Sequence, residues 1–236
     1  MEKAIVMDYK YTYFFGVILF LIPWTILFLL RKDLRKEMFY ISLLIGVIGV
    51  IVEYIWYTKD WWNPPTITGT IVGIEDFILG FASGGVGAVI YKEVFHKTMY
   101  RSISLRISHW ILALPIILGI AISYILFAYF GLFSFWANVI GFVISLLLMS
   151  FIRKDLEKEA IEGGLLLTIL TIPFYWLLFF FFPAFIESYW NYQNATGVLF
   201  FGIPYEDLVW WFFVGALSSI LYDYWNLLRL RKKSHI

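Results

Sequence analysis

Two adjacent acids, Glu206 and Asp207, open a segment that is otherwise apolar and aromatic, "GIPYEDLVWWFFVGALSSILYDYW" (202–225). A carboxylate at the centre of a membrane helix costs about 2.5 to 3.5 kcal/mol on insertion scales. A second pair, Glu75 and Asp76, precedes another apolar run, and Glu53 lies in "VIVEYIWY". Carboxylic acids in poorly solvated surroundings can hold a proton near neutral pH. These five acids are therefore candidate proton donors and acceptors.

The two acids of each pair are expected to have different surroundings. Successive residues of an α-helix point about 100° apart, so both acids cannot face the same spot. One can face a cavity while its neighbour caps the helix N-terminus, where free N–H groups and the positive end of the dipole favour an anion. The alternative, that all four acids are caps near the membrane interface, stays open. Glu187 and Asp223 are lesser candidates.

Aromatic residues are dense in the segments around these acids. They are Trp56, Trp61, Trp62, Phe77, Trp176, Trp190, Trp210 and Trp211. Aromatic faces stabilise cations, so this composition suits a reaction that passes through a carbocation. We expect substrate contacts from Trp56, Trp62, Phe77, Trp176, Trp210 and Trp211, with packing or interface anchoring as the alternative for each.

The composition indicates an integral membrane protein. Of the 236 residues, 61% are hydrophobic and 15% are charged, whereas soluble domains have about 25% charged residues. The net charge of +1 gives no electrostatic basis for binding nucleic acid. Cysteine is absent and the three histidines form no ligand pattern. We therefore predict no metal site and no nucleic-acid partner.

Apolar runs long enough to cross a bilayer predict an all-α integral membrane fold with seven transmembrane helices. The predicted ranges are 11–30, 38–57, 73–94, 108–130, 135–152, 161–185 and 204–228. The loops after the first, third and fifth helices and the tail after the seventh carry most of the lysines and arginines. The positive-inside rule then predicts a multi-pass protein of the cell membrane with its N-terminus outside and its C-terminus in the cytoplasm.

An internal repeat divides this single membrane domain, residues 1–236. The motif "RKDLRKE" (31–37) recurs as "RKDLEKE" (153–159), and Glu75-Asp76 aligns with Glu206-Asp207. We predict a first three-helix repeat at 11–94, a connector helix at 108–130 and a second three-helix repeat at 135–228. Because the connector restores the starting orientation, the repeats should be parallel about an axis along the membrane normal. Matching residues would then face one another across a central cavity.

The paired motifs resemble a known family. A W-x-N or Y-x-N loop, a glycine and then P-x-E-[ED] before an aromatic run, present twice in a chain of seven helices, resembles the membrane-integral lycopene cyclase domain. The resemblance covers about residues 10 to 228 and is best in "GIPYEDLVWWF". The first copy, "GIEDFILGF", lacks the proline, and Glu53 lacks the Pro-Trp that precedes the corresponding acid in the family.

The resemblance implies a non-redox cyclisation of lycopene or a related linear isoprenoid to a β- or ε-ionone end group. A general acid protonates the terminal double bond, the neighbouring alkene attacks the cation, and a base removes a proton. Glu206 is the expected acid, so Glu206→Gln is expected to abolish conversion, and Glu75 is its counterpart. Asp207, Asp76 and Glu53 are expected to act as base, orienting group or hydrogen-bond partner.

The resemblance further implies no cofactor, a lipophilic isoprenoid substrate, contacts with membrane lipids and association with other enzymes of the carotenoid pathway. Two alternatives remain. One is a small-solute transporter of three-plus-one-plus-three helices, hinged at Pro23, Pro115 and Pro173. The other is a non-catalytic isoprenoid-binding member of the same superfamily. A retinal protein is excluded, because its Schiff base needs a lysine in the last helix and none lies between Pro204 and Leu228.

Overall fold

The chain folds into long helices at the positions that its apolar runs predict. The computed structural model describes residues 9–101, 107–189 and 195–232, so Trp190 and the Y-x-N motif at 192–194 lie outside the described residues. The long helices are α1 Thr12–Leu30, α2 Arg35–Val52, α3 Ile74–Val94, α4 His109–Ala128, α5 Ser134–Ile152, α6 Glu157–Phe181 and α7 Tyr205–Trp225.

Six helices, α1 to α6, are long and apolar enough to cross a membrane by length and composition. This confirms the predicted α-helical membrane fold. Helix α7 is not among these six, although it has 21 residues. Its sequence contains Glu206, Asp207 and Asp223, which lower its mean hydropathy, so its crossing of the membrane stays a prediction.

Helix α2 ends in an irregular turn that the sequence pattern did not predict. A π-helical turn, Glu53–Tyr57, follows α2 and leads into a short helix, Thr58–Asp60. The backbone N–H and the hydroxyl of Thr58 both donate to the carbonyl oxygen of Glu53, the hydroxyl at 3.0 Å. A π turn inserts one residue and turns the side chains after it, and such turns are frequent at functional sites.

Glycines let paired helices approach closely in both halves of the chain. We call two residues matching when one of two alignments pairs them. The alignment of 31–37 with 153–159 is continued without gaps along α1, α2, α5 and α6, and that of 75–76 with 206–207 along α3, α7 and the strands after them. A Cβ atom added to Gly84 of α3 would lie 2.6 Å from Cβ of Ile45, and one added to the matching Gly215 of α7 would lie 2.8 Å from Cβ of the matching Leu167. Small residues at these crossings therefore fix how α2 packs on α3 and α6 on α7.

Matching arginines make the same contacts at one end of the bundle. Arg31 pairs with Asp33 at 2.9 Å and donates to the carbonyl oxygens of Lys92 and Lys97 at 2.8 and 2.6 Å. Arg153 pairs with Asp155 at 2.8 Å and donates to the carbonyl oxygens of the matching residues, Asp223 and Leu228, at 3.3 and 2.6 Å. The two halves thus share their loop contacts as well as their motifs.

A buried charge cluster joins the two halves near these arginines. Nζ of Lys92 lies 2.6 Å from Oε1 of Glu37, 3.0 Å from Oε1 of Glu159 and 3.1 Å from Oδ2 of Asp223, and none of these four side chains is more than 2% exposed. Glu37 matches Glu159, and Lys92 matches Asp223. Lys92 is one of the cations on which the predicted orientation depends, and it is buried, as are Arg31 and Arg153.

Short strands complete the fold, although the sequence pattern predicted none. They are β1 Lys97–Arg101, β2 Leu199–Phe200, β3 Ile203–Pro204 and β4 Leu228–Lys232. Strands β1 and β4 pair antiparallel with Met99 opposite its matching residue, Leu230. Strands β2 and β3 form a hairpin whose two turn residues, Phe201 and Gly202, have φ of 55° and 80°. Positive φ at both positions is the type I′ geometry that suits tight hairpins, and this hairpin leads directly into the acids of α7.

Candidate functional site

The glutamates of the two acid pairs hold the loops that precede their helices. Oε1 of Glu75 accepts the backbone N–H of Ile67 at 2.5 Å, and Oε1 of Glu206 accepts that of Thr196 at 2.6 Å. Glu75 is 0% exposed and Glu206 is 1% exposed. A carboxylate that accepts a backbone N–H makes a charge-assisted hydrogen bond, so these matching glutamates anchor matching loops.

The aspartates of the two pairs each accept a tyrosine hydroxyl from a different helix. Tyr13 on α1 donates to Oδ1 of Asp76 at 2.6 Å, and Tyr175 on α6 donates to Oδ2 of Asp207 at 2.7 Å. Oδ2 of Asp76 also accepts the N–H of Gly73 at 2.7 Å, which caps α3. The tyrosines themselves do not match, since Tyr13 matches Phe135 and Tyr175 matches Glu53.

A cavity of about 410 Å³, partly open to the outside, brings two acids from the two halves together. We call it the central cavity. Its lining includes Glu53 from the end of α2 and Asp207 from the start of α7. The remaining lining residues are Tyr57, Trp61, Trp62, Leu79, Tyr175, Trp210 and Trp211. Two matching pairs, Glu53 with Tyr175 and Leu79 with Trp210, line this cavity, so it lies where the two halves meet.

The polar atoms of the aromatic lining are bonded largely to one another. Nε1 of Trp211 donates to the hydroxyl of Tyr175 at 3.3 Å, and Nε1 of Trp210 donates to the hydroxyl of Tyr57 at 3.1 Å. The rings of Trp210 and Trp211 meet edge to face at 5.0 Å. These bonds fix the positions of the rings, and aromatic rings are groups that can stabilise a cation.

A second cavity, of about 480 Å³, lies beside the first between α1 and α6. We call it the side cavity. It shares Trp62, Leu79, Tyr175 and Trp211 with the central cavity. Its other lining residues are Thr12, Tyr13, Gly16, Val17, Phe20, Thr171, Phe174 and Leu178. The shared wall makes the two cavities neighbours across a few side chains.

The structure brings together five of the candidate site residues, Glu53, Asp207, Trp62, Trp210 and Trp211, which all line the central cavity. Trp61, noted among the aromatic residues of the sequence, lines it as well. The remaining candidates, Glu206, Glu75, Asp76, Trp56, Phe77 and Trp176, line neither cavity.

The three aromatic candidates outside the cavities have other neighbours. Trp56 is 4% exposed and packs on the connector helix α4. Trp176 is 52% exposed, with Nε1 bonded to the carbonyl oxygen of Phe201 at 3.1 Å. Phe77 packs against Phe81. These three residues therefore make packing or anchoring contacts, which is the alternative to a substrate contact.

Sequence patterns missed three tyrosines of the site, Tyr13, Tyr57 and Tyr175. A signal for Tyr175 existed, because continuing the alignment of the two RKDL motifs along α2 and α6 pairs Tyr175 with Glu53. Within the described residues, no group of three or more His, Cys, Asp or Glu side chains is arranged to hold a metal ion.

A comparison with protein families identifies what the chain resembles. The sequence model of the family described as Lycopene cyclase matches residues 8–95 and 134–225. These two segments contain α1 to α3 and α5 to α7 and leave out the connector α4. Neither the curated proteins nor the solved structures contain a significant match to this chain.

Proposed function

Because the chain belongs to the lycopene cyclase family, we propose that it cyclises the end group of lycopene, or of a related linear isoprenoid, in the central cavity. One observation carries the proposal. Two carboxyl groups from different halves, Glu53 and Asp207, line a single cavity whose other walls are almost entirely Trp and Tyr. Acid–base groups beside cation-stabilising rings are what a proton-initiated cyclisation needs.

In the proposed reaction, Glu53 donates a proton to the terminal double bond and leaves a tertiary carbocation. The π electrons of the neighbouring double bond form the new carbon–carbon bond, which closes the ring and moves the positive charge to a ring carbon. Asp207 then removes a proton from an adjacent carbon, and those electrons form the ring double bond. The net reaction is an isomerisation and needs no cofactor.

The assignment of these roles follows from the neighbours of each acid. Tyr175 donates a hydrogen bond to Asp207, and a donor of this kind favours the ionised carboxylate that a base requires. Glu53 shares the cavity with aromatic rings, surroundings that favour a neutral carboxylic acid. Because both acids line one cavity, the proton can return from Asp207 to Glu53 after each cycle.

Glu206 and Glu75, which the motifs indicate as proton donors, hold loops in this proposal. Both accept a backbone N–H from the loop before their helix, and neither lines the central cavity. We assign them to holding the loops, and Asp76, bonded to Tyr13 and Gly73, to capping α3.

The proposed architecture has seven membrane spans in two parallel repeats joined by α4, with the site at the outer side of the cell membrane. Matching arginines at one end make matching contacts, and the matching residues Met99 and Leu230 pair across β1 and β4. These contacts support repeats related by an axis that runs along the helices.

The test is expression in a host that accumulates lycopene, followed by analysis of extracted pigments. The wild-type chain is expected to yield a cyclic carotene. Asp207→Asn is expected to lower conversion by about a hundredfold or more, since a general acid or base contributes roughly 10²- to 10⁴-fold.

The matched control is Asp76→Asn, which changes the corresponding aspartate outside the cavity lining and is expected to keep most of the conversion. Unchanged lycopene with the wild-type chain would contradict the proposed substrate. Binding of lycopene without conversion would identify an isoprenoid-binding member of the family instead.

A further inference from the structure

The side cavity takes no part in the proton transfers described above. We propose that it holds the unreacted chain of a long linear isoprenoid while the end group lies in the central cavity, an inference that rests on the proposed function. The two cavities share a wall of four residues, Trp62, Leu79, Tyr175 and Trp211. A chain whose tip lies beside Asp207 therefore reaches the side cavity by passing these side chains.

The composition of the side cavity fits an apolar chain. Its lining contains no acidic or basic side chain. The walls come mainly from one face of α1, with Val17 and Phe20, and one face of α6, with Phe174 and Leu178. A chain that is already dissolved in lipid gains no affinity from leaving water, so we expect close packing against these apolar and aromatic walls to hold it.

Gly16 lies beside the side cavity, where Leu178 of α6 comes close to α1. The rings of Phe15 and Phe181 meet at 5.7 Å on one side of this position, and those of Phe20 and Phe174 meet at 5.2 Å on the other. Between these two contacts, a Cβ atom added to Gly16 would lie 3.2 Å from Cδ1 of Leu178. Gly16 and Phe174 are themselves partly exposed, so the cavity reaches the outer surface of the bundle, from which a membrane-dissolved chain would enter.

The matching positions of the other half carry larger, buried side chains. Asn138 matches Gly16 and Trp56 matches Leu178, and these two larger residues are 8% and 4% exposed. Trp56 also packs on Tyr124 and Phe127 of the connector helix, at ring distances of 6.4 and 6.3 Å. The repeat therefore offers a path for the chain on one side, between α1 and α6. A substrate with two identical ends would present one end at a time and would have to leave and turn before the second end could react.

The experiment compares two substrates that carry the same end group, lycopene and a short acyclic terpene with the same terminal 2,6-diene. Gly16→Phe places a ring in the side cavity where Leu178 already lies close, and Leu178→Trp introduces the residue type of the matching Trp56. Both variants are expected to weaken lycopene binding and lower lycopene turnover by about tenfold or more, equivalent to about 1.4 kcal/mol, because the added side chains occupy space that the chain would need. Turnover of the short terpene is expected to stay within about twofold of wild type.

The matched control is Ile22→Phe on the same helix, where the side chain is 51% exposed. This variant is expected to leave lycopene binding and the turnover of both substrates unchanged. Gly16→Ala, which adds one methyl group and is the least disruptive of the set, should give a smaller loss for lycopene in the same direction. Lycopene binding is measured by quenching of tryptophan fluorescence, because Trp62 and Trp211 line both cavities.

The binding measurement separates the two proposals. If the wild-type protein binds lycopene but converts neither substrate, the proposed reaction fails, and the affinities of the Gly16 and Leu178 variants still decide the role of the side cavity. Wild-type affinity for lycopene in both Gly16→Phe and Leu178→Trp would overturn that role. Equal losses for the long and the short substrate would overturn it as well, because a tail-binding cavity acts on chain length.

Discussion

Glu206 and Asp207 are neighbours in the chain, but their side chains make different contacts. Glu206 accepts the N–H of Thr196, while Asp207 accepts the hydroxyl of Tyr175 and lines the central cavity. The angle of about 100° between successive helix residues produces this division. It also explains why an adjacent pair is useful at this position, since one acid orders the approach to the helix and the other faces the cavity.

Substitution of Glu206 by Gln tests this division. A glutamine side chain keeps an oxygen that can accept the N–H of Thr196, so we expect Glu206→Gln to keep conversion within a few-fold of wild type. Replacing a charge-assisted hydrogen bond by a neutral one should lower the free energy of unfolding by about 1 kcal/mol. The measurements are pigment conversion in membranes and thermal unfolding of the purified protein.

The paired comparison is Asp207→Asn, in which conversion is expected to be lost with a similarly small loss of stability, because asparagine also keeps an oxygen that can accept the hydroxyl of Tyr175. If Glu206→Gln abolished conversion in a folded protein, the motif-based assignment of Glu206 as the acid would be supported over the geometric one.

A helix or strand can be predicted from sequence when residues close together in the chain determine it. The long helices follow from apolar runs, which are local, and their predicted ranges lie close to the observed ones. The π turn at Glu53–Tyr57 and the pairing of β1 with β4 depend on contacts between distant segments, so no local pattern indicates them. The acids of the site could be identified by type, but which of them faces the cavity depends on helix rotation and loop contacts.

The ends of α2, α3, α6 and α7 are tied together by Lys92. Three buried carboxylates, Glu37, Glu159 and Asp223, surround its ammonium group. Removing one partner of a buried ion pair leaves uncompensated charge and costs about 3 to 5 kcal/mol. We therefore expect Lys92→Met to lower the thermal stability of the protein strongly.

The control for this substitution is Lys158→Met. The Lys158 side chain is 72% exposed and pairs with Glu162 at 3.7 Å along the same helix, a type of pair worth about 0.3 to 0.5 kcal/mol. The unfolding temperature of Lys158→Met should remain near that of the wild-type protein. Similar stabilities for the two variants would show that the buried cluster contributes little to holding the halves together.

At the scale of the whole molecule, two similar halves form one site that is not symmetric. Matching positions carry Glu53 and Tyr175 within the central cavity. Tyr13 lines the side cavity, whereas the matching Phe135 packs on Trp61. A repeat with identical residues would place the same group on both sides of the substrate. In the proposed reaction, this difference lets Glu53 on one side donate a proton and Asp207 on the other side accept it.

The predicted orientation of the bundle rests on the charges that remain exposed. Although Lys92, Arg31 and Arg153 are buried, the same end keeps exposed cations at Lys32, Lys36, Arg101, Lys154, Lys158, Arg231 and Lys232. Within the described residues, the other end has Lys10 and Lys59 exposed. The positive-inside rule counts cations near the membrane surface, so the burial of three of them leaves the predicted orientation unchanged.

Single-cysteine labelling tests this orientation directly, because the natural chain contains no cysteine. Asn63→Cys places a thiol in the loop between α2 and α3, and Lys32→Cys places one between α1 and α2, both at exposed positions. In intact cells, a membrane-impermeant maleimide should label Asn63→Cys. It should label Lys32→Cys only after the cells are permeabilised. The reverse pattern would put the central cavity on the cytoplasmic side. Labelling of both sites in intact cells would contradict a span of α2 through the membrane, and with it the alternation of loops on which the parallel repeat depends.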